Sequence, residues 1–372
     1  MTVIKPVNVL GLLSTSSLEG VYVALLNTDG VDVFDYGRLQ HIPYDEALRE
    51  KIRPLLGTCP YTPEAVAEFQ AVNRELTVFH AEIVKDYIAA NGVEVDVIGY
   101  EGINLTNYAS GGETGLLGDG KLLAELTGIR VVCNFHAADI RAGGQGAPLD
   151  PVYYNALCAD IGKPLAVVNI SGITRVTWIG SYGEMTAFDT GPGNAAIDEW
   201  VRKHGGMHMD YNGKLAITGK VNEQIVATMM RHKYFAKYPP KSTNRSEFVE
   251  KLEHLEGLSL EDGAATATAF VAESIAYSLL LYLPEIPKIL IVCGGGAKSP
   301  LWRKIVANIL DLPAVLPDMS IHTAAEEGFN TNALPAQAVA YLAARRLYCL
   351  PVSFPATTGV PEPMVCGELC EP

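Results

Sequence analysis

The run VVCNFHAADIRAGGQGAPL, Val131 to Leu149, opens apolar and turns abruptly polar before a Gly-Gly-Gln-Gly turn. A buried strand that ends this way delivers side chains to a pocket, and the first polar one it delivers is Asn134. An amide can orient a water molecule but cannot take its proton. Two further turns carry hydroxyls and glycines suited to phosphate oxygens. GLLSTSSLEG holds Gly11, Ser14, Thr15, Ser16, Ser17, Glu19 and Gly20; NISGITR holds Asn169, Ser171 and Gly172. FDTGPGN sets Asp189 at a strand end and Gly191, Gly193 and Asn194 at a helix start. Asp189 there can hold a magnesium-bound water, or Asp189 or Asn194 can simply cap backbone donors. VCGGGAKSP puts Gly294, Gly295 and Gly296 between a buried strand and a helix. That spacing admits a flat ring or a phosphate close to the backbone, or makes only a tight turn. Each loop alone is ordinary turn chemistry; the four in order read as a nucleotide cleft.

The elements that must position these residues come in two similar runs. VNVLGLLS, VYVALLN and VDVFDYG, separated by turn residues, predict an antiparallel meander. A helix over Pro63 to Ala90, a strand at VDVIGY, a helix near Lys121 to Thr127 and the strand at VVCNF follow. PLAVVNISG, TRVTWIG and MTAFDTG then form a second set of three strands. Helices are expected near Gly193 to His204, Gly219 to His232 and Ala264 to Leu283, then a strand at ILIVCGGG. A helix from Pro300 to Leu310, a short AVLP strand and a helix from Leu334 to Leu347 complete the second run. Two copies of one strand and helix order predict two related α/β lobes around a nucleotide cleft. The first lobe is expected over 1–155 and the second over 156–372, with the C-terminal helix and tail packing back on the first.

The chain has 372 residues, 48% hydrophobic, and a net charge of −14. Its Lys and Arg residues form no basic run, which argues against nucleic acid as a partner. Neither a signal peptide nor about 18–20 uninterrupted apolar residues is found, so no membrane association is expected. The seven cysteines have no paired or metal-type spacing and read as free thiols of a cytoplasmic protein. His204 and His208 stand four apart, but Gly205-Gly206 breaks the helix a zinc pair would need. Trp178 and Trp200 read as packing.

Taken together, GGQGAPL, FDTGPGN, CGGGA, the PPKST core of YFAKYPPKSTNRSEF and the closing LPxxxPATTGVPEPMVCGEL resemble the anhydro-N-acetylmuramic acid kinase family, which includes the levoglucosan kinases. The resemblance implies the sugar kinase/actin/Hsp70 fold, with two ribonuclease H-like lobes. It also implies a reaction. Water activated by an Asp opens a 1,6-anhydro bond, and the freed O6 takes the γ-phosphoryl of magnesium-ATP, a step in peptidoglycan recycling. The implied partners are ATP, Mg2+ and a small sugar, with Glu19 and Asp189 holding the metal through water. A homodimer is also implied. On the sugar side the resemblance points to His136, Lys241, Arg245 and Gln337.

This sequence departs from the family where the chemistry lies. The family's Asp-Phe-Arg reads Asn134-Phe135-His136, so the base position is an amide. The family's His-Gly-Gln-Thr reads Glu101-Gly102-Ile103-Asn104. Thr15 replaces a glycine of the first turn and is strained if its φ is positive; Glu19 replaces an Asp. Ser171 stands for a Gly, Arg175 for an Asn, Gln337 for a Glu, and Asn244-Arg245-Ser246 for Gly-Arg-Glu. Three readings follow: an anhydrosugar kinase whose base has moved to Glu101 or Asp139; an enzyme of changed reaction; or a pseudokinase-like binder of nucleotide or sugar. For the first, the bland alternatives are that Asp139 is a structural hydrogen-bond acceptor and Glu101 a solvated wall residue.

Overall fold

Aliphatic and β-branched runs broken by turn residues give the first three strands, β1 (Val7–Ser14), β2 (Gly20–Thr28) and β3 (Val33–Pro43). The computed structural model describes residues 5–58, 62–105, 115–309 and 319–372. After β3 come α1 (Glu46–Ile52), α2 (Pro63–Asn91), β4 (Val97–Glu101), the short pair β5 (Ile103–Asn104) and β6 (Leu116–Leu117), and α3 (Gly120–Thr127). β7 (Arg130–Cys133), α4 (Ala137–Arg141) and α5 (Pro151–Leu157) follow. Next are β8 (Leu165–Ile170), β9 (Ile173–Ile179), β10 (Met185–Pro192), α6 (Asn194–Gly205), α7 (Glu223–Met229), α8 (Arg245–Val249) and α9 (Leu260–Leu281). The chain ends with β11 (Ile289–Cys293), α10 (Pro300–Ile309), β12 (Ser320–Thr323), α11 (Leu334–Leu347) and β13 (Glu368–Cys370).

Side-chain caps fix the helix starts. Asp45, Thr62, Asp119, Asn222, Asn244 and Ser259 each accept a backbone N–H of the first turn, satisfying donors that the helix itself leaves over. α2, α3 and α6 stop at left-handed Gly92, Gly128 and Gly206. The helix expected from Gly219 to His232 is shorter, because residues 220–222 are held extended. Lys220 N–H donates to Asp262 at 2.7 Å and Asn222 N–H to Thr266 Oγ1 at 3.0 Å, and Asn222 then caps α7. The expected AVLP strand lies outside the described residues.

Contacts divide the chain into two compact units, Met1–Ala159 with Asn332–Pro372, and Asp160–Thr331. The first holds a six-stranded sheet of order β13-β7-β4-β1-β2-β3; the second a five-stranded sheet of order β10-β9-β8-β11-β12. In both, three antiparallel strands join a parallel set, β1-β4-β7 in one and β8-β11-β12 in the other. Leaving β13 aside, the two orders coincide: third, second, first, fourth, fifth. That is the ribonuclease H-like arrangement, once in each unit.

In the first unit α2 and α3 cover one face over a core that includes Leu10, Leu76, Val84, Ile98, Tyr100 and Leu123. α11 lies against the β1–β4 face so closely that a Cβ on Gly11 would stand 1.9 Å from the carbonyl oxygen of Ala336; only glycine lets the backbones approach this near. In the second unit α9 is the central core helix. It is long and apolar enough to cross a membrane by length and composition, but 78% of its apolar window is buried inside the protein.

Candidate functional site

The parallel strands of the first unit end side by side. Leu13 pairs with Glu101 across β1 and β4, and Gly99 with Val132 across β4 and β7. Ser14, Glu101 and Asn134 therefore line one sheet edge, the edge where open α/β sheets bind ligands. Glu101 is 8% exposed, so it is not a solvated wall residue. Its Oε1 accepts from Asn104 Nδ2 at 3.0 Å and lies 3.1 Å from His136 Nε2.

The ring of His136 is constrained at both nitrogens. Nδ1 lies 2.5 Å from the carbonyl oxygen of Gly146, so it carries a proton and donates. A bare Nε2 against a carboxylate oxygen would set two acceptors in contact, so a second proton lies between His136 and Glu101. His136 Nε2 thus faces the Glu101 carboxyl group across one shared proton. Asn134 follows β7 with φ +52°, a left-handed conformation that Asn tolerates better than most residues. Its amide donates to Glu368 Oε1 on β13 at 2.9 Å.

The first hairpin turn is held from below. Ser14 is buried, accepts from Tyr44 OH at 2.6 Å and lies 2.8 Å from His80 Nε2; His80 Nδ1 is 2.8 Å from Tyr100 OH. Its hydroxyl therefore faces the core. Thr15 and Ser17 bond to each other at 2.6 Å, Ser16 and Ser17 are exposed, and exposed Glu19 accepts from Tyr22 OH at 3.1 Å. Thr15 is spared a positive φ; the left-handed residue of this turn is Leu18, at +56°. Gly20 closes the turn at the start of β2, and Gly11 lies in mid-strand under α11.

Burial lowers the pKa of His80 to about 3, because nothing in that core pays for an imidazolium. The unfolded His80 titrates near the ordinary value of about 6.5. Below that pH the unfolded chain binds a proton that the folded chain does not, and stability falls as pH drops. From about pH 7.5 to about pH 5 this single group is expected to cost about 2 kcal/mol. Urea unfolding of wild type and His80→Gln across that range checks it; equal slopes would refute it.

Asp139 is fully buried in α4. Its Oδ1 accepts from Gly146 N–H at 2.6 Å, and its other oxygen accepts from the hydroxyl of Ser353. Gln145 N–H donates to Thr358 O at 2.9 Å. The GGQG turn is thus bolted to the PATT stretch through Asp139. Gln337, on α11, is 4% exposed, and its Oε1 accepts from Tyr153 OH at 2.8 Å.

In the second unit three of the glycine-bearing loops converge. Asn194 and Ala195, at the start of α6, donate their N–H groups to Ser171 O and Gly172 O at 2.7 and 3.3 Å. The side-chain amide of Asn194 donates to Ile170 O at 3.3 Å. Gly294, at φ +80°, packs where a Cβ would lie 2.4 Å from Ile170 O and 2.5 Å from Asn169 Oδ1. Gly295 and Gly296 then pass against Asn194. A bulge at Thr190 follows Asp189, Gly191 resumes the pairing opposite Thr174, and Gly193 precedes α6.

Asp189 is 2% exposed. Oδ1 accepts from Arg175 Nε at 2.9 Å and Oδ2 from Thr243 N–H at 3.0 Å. Its main chain is gripped too, N–H by Lys241 O at 3.0 Å and C=O by Tyr234 OH at 2.6 Å. Lys241 is 4% exposed, with Nζ 4.1 Å from the Tyr282 ring centre and 4.9 Å from that of Tyr234. Burial and Lys237 lower its pKa to about 8. Arg245 opens α8 and packs on Gly172.

Among the described residues no group of three His, Cys, Asp or Glu side chains is arranged to hold a metal. Asp189 does not fit a magnesium role as it stands, because Arg175 is already ion-paired with it. Sequence reading missed that pair, the Tyr44–Ser14–His80–Tyr100 chain and Glu368. Only the first left a trace, an Arg facing an Asp on neighbouring strands.

The sequence profile of the anhydro-N-acetylmuramic acid kinase family matches residues 7–371. A protein of Paramagnetospirillum magneticum named anhydro-N-acetylmuramic acid kinase is 41% identical over 363 residues, 96% of this chain and 98% of that one. A Rhodospirillum rubrum protein of the same name is 42% identical over 358 residues, 96% and 92% of the two chains. One from Zymomonas mobilis is 40% identical over 370 residues, 97% and 98% of the two chains. A solved ROK family protein from Streptococcus pneumoniae TIGR4, in complex with sucrose, aligns over 91% of this chain and 99% of that one. Its TM-score of 0.37 and 12% identity are too distant to bear on the site. A match of this length at these identities settles the relationship: the chain belongs to the anhydro-N-acetylmuramic acid kinase family.

Proposed function

We propose that this chain is an ATP-dependent anhydrosugar kinase acting on 1,6-anhydro-N-acetylmuramic acid or a close analogue. Water adds to the anomeric carbon as the C1–O6 bond breaks, O6 takes the γ-phosphoryl of ATP, and ADP leaves. The proton of the water goes to a carboxylate. The observation that carries this reading is the Glu101–His136 pair, which fixes a buried carboxyl group at the ligand-binding edge of the first unit. A weakly basic carboxylate suffices, because attack at an anomeric centre builds oxocarbenium character before the water gives up its proton. Asp139 spends both oxygens on structural bonds and is assigned no proton. The second unit takes the nucleotide phosphates at the β8–β9 tip, beside Arg245 and Arg175.

The pseudokinase-like reading keeps one specific support, the Asn134 amide where the family carries its base. ADP release with 1,6-anhydro-N-acetylmuramic acid and with levoglucosan decides between them. Turnover above the ATP-only background is expected with at least one anhydrosugar. ATP binding without turnover on either would leave the binder as the better account.

A further inference from the structure

The cation nearest Asp189 is part of the chain itself. Asp189 is buried, held at both main-chain groups, and ion-paired to Arg175 through Nε at 2.9 Å. Arg175 is 29% exposed along its side chain and stands opposite Asn169 in the β8–β9 register. At the same tip, a Cβ on Gly172 would lie 3.2 Å from Arg245 Nε. One guanidinium thus packs at the tip and a second stands in the strand that leads from it, and a guanidinium fork suits phosphate oxygens. A hydrated divalent cation approaching Asp189 meets a like charge already in contact with the carboxylate.

We propose that Arg175 is a built-in counter-ion in the place of a carboxylate-anchored divalent cation, so that triphosphate binding at this tip is largely independent of Mg2+. The proposal rests on the reading that the β8–β9 tip takes the nucleotide phosphates.

Calorimetric titration of the full chain with ATP, in saturating Mg2+ and in excess EDTA, tests it on wild type, Arg175→Asn and Asp189→Asn. The wild-type Kd is expected to change less than about threefold between the two conditions. Arg175→Asn is expected to lose about tenfold in EDTA and regain it with Mg2+, about the worth of one charge-assisted contact. Asp189→Asn leaves Arg175 without its carboxylate and is expected to tighten metal-free binding, an arm that stands even if Arg175→Asn fails to fold. Equal Mg2+ dependence of wild type and Arg175→Asn, or unchanged or weaker metal-free binding by Asp189→Asn, overturns the counter-ion while leaving the nucleotide site in place. No ATP binding by wild type in either condition overturns both.

Discussion

Glu101→Gln is expected to slow ADP release with the anhydrosugar by about a hundredfold or more, the usual worth of a positioned base, while the protein melts close to wild type. Gln keeps the side-chain volume and an Oε1 that still accepts from Asn104 and from His136 Nε2–H. What it lacks is a site for the proton of the attacking water. KM for the sugar should change little if the carboxylate acts only as water is activated. Full turnover by this variant would remove Glu101 from the mechanism.

The position the family uses for its base gives the control. Asn134→Asp suits the left-handed backbone, because Asp tolerates that region as Asn does. However, it sets a carboxylate where Asn134 now donates to Glu368, and two carboxylates at that separation do not both ionise easily. Asn134→Asp alone is therefore expected to gain little, and to restore turnover to Glu101→Gln only with Glu368→Gln beside it. Rescue by the single substitution would mean that Glu368 turns away when sugar binds.

The doubled strand order was legible because each run alternates and punctuates in the same places, from VNVLGLLS to VVCNF and again from PLAVVNISG onward. Helix starts were legible where a capping side chain marked them, and α7 was misjudged because its start depends on two bonds to α9, far along the chain. The loops that converge in the second unit were read from glycine placement, which follows from close backbone approach. Partnerships between distant side chains were not legible. Nothing local in Asn134 points to Glu368, and Ser14 looks like a loop hydroxyl until His80, 66 residues on, is folded beneath it. Burial also decided the two carboxylates. Glu101 and Asp139 were equal candidates on paper, and only folding shows one facing the His136 ring and the other inside the GGQG turn.

Asp139→Ala is expected to destabilise the protein by about 3 kcal/mol, because it strands the buried Gly146 N–H and the Ser353 hydroxyl. Asp139→Asn should fare better than Asp139→Ala, because the amide oxygen can still accept from Gly146 N–H while the NH2 donates to the Ser353 hydroxyl, which can turn toward Thr358. Turnover should fall with stability here, by about tenfold to a hundredfold through lost positioning. The route is continuous. Asp139 Oδ1 holds Gly146 N–H at 2.6 Å, Gly146 O holds His136 Nδ1–H at 2.5 Å, and His136 Nε2 faces Glu101 at 3.1 Å. Releasing the turn frees the ring to rotate or to put its lone pair on Nδ1, and Glu101 loses the partner that now holds it. A base would lose turnover without melting early; a positioning residue loses both and also shifts the pH profile of turnover. A kinase with Asp139→Ala that melts like wild type, yet turns over nothing, would return the proton to Asp139.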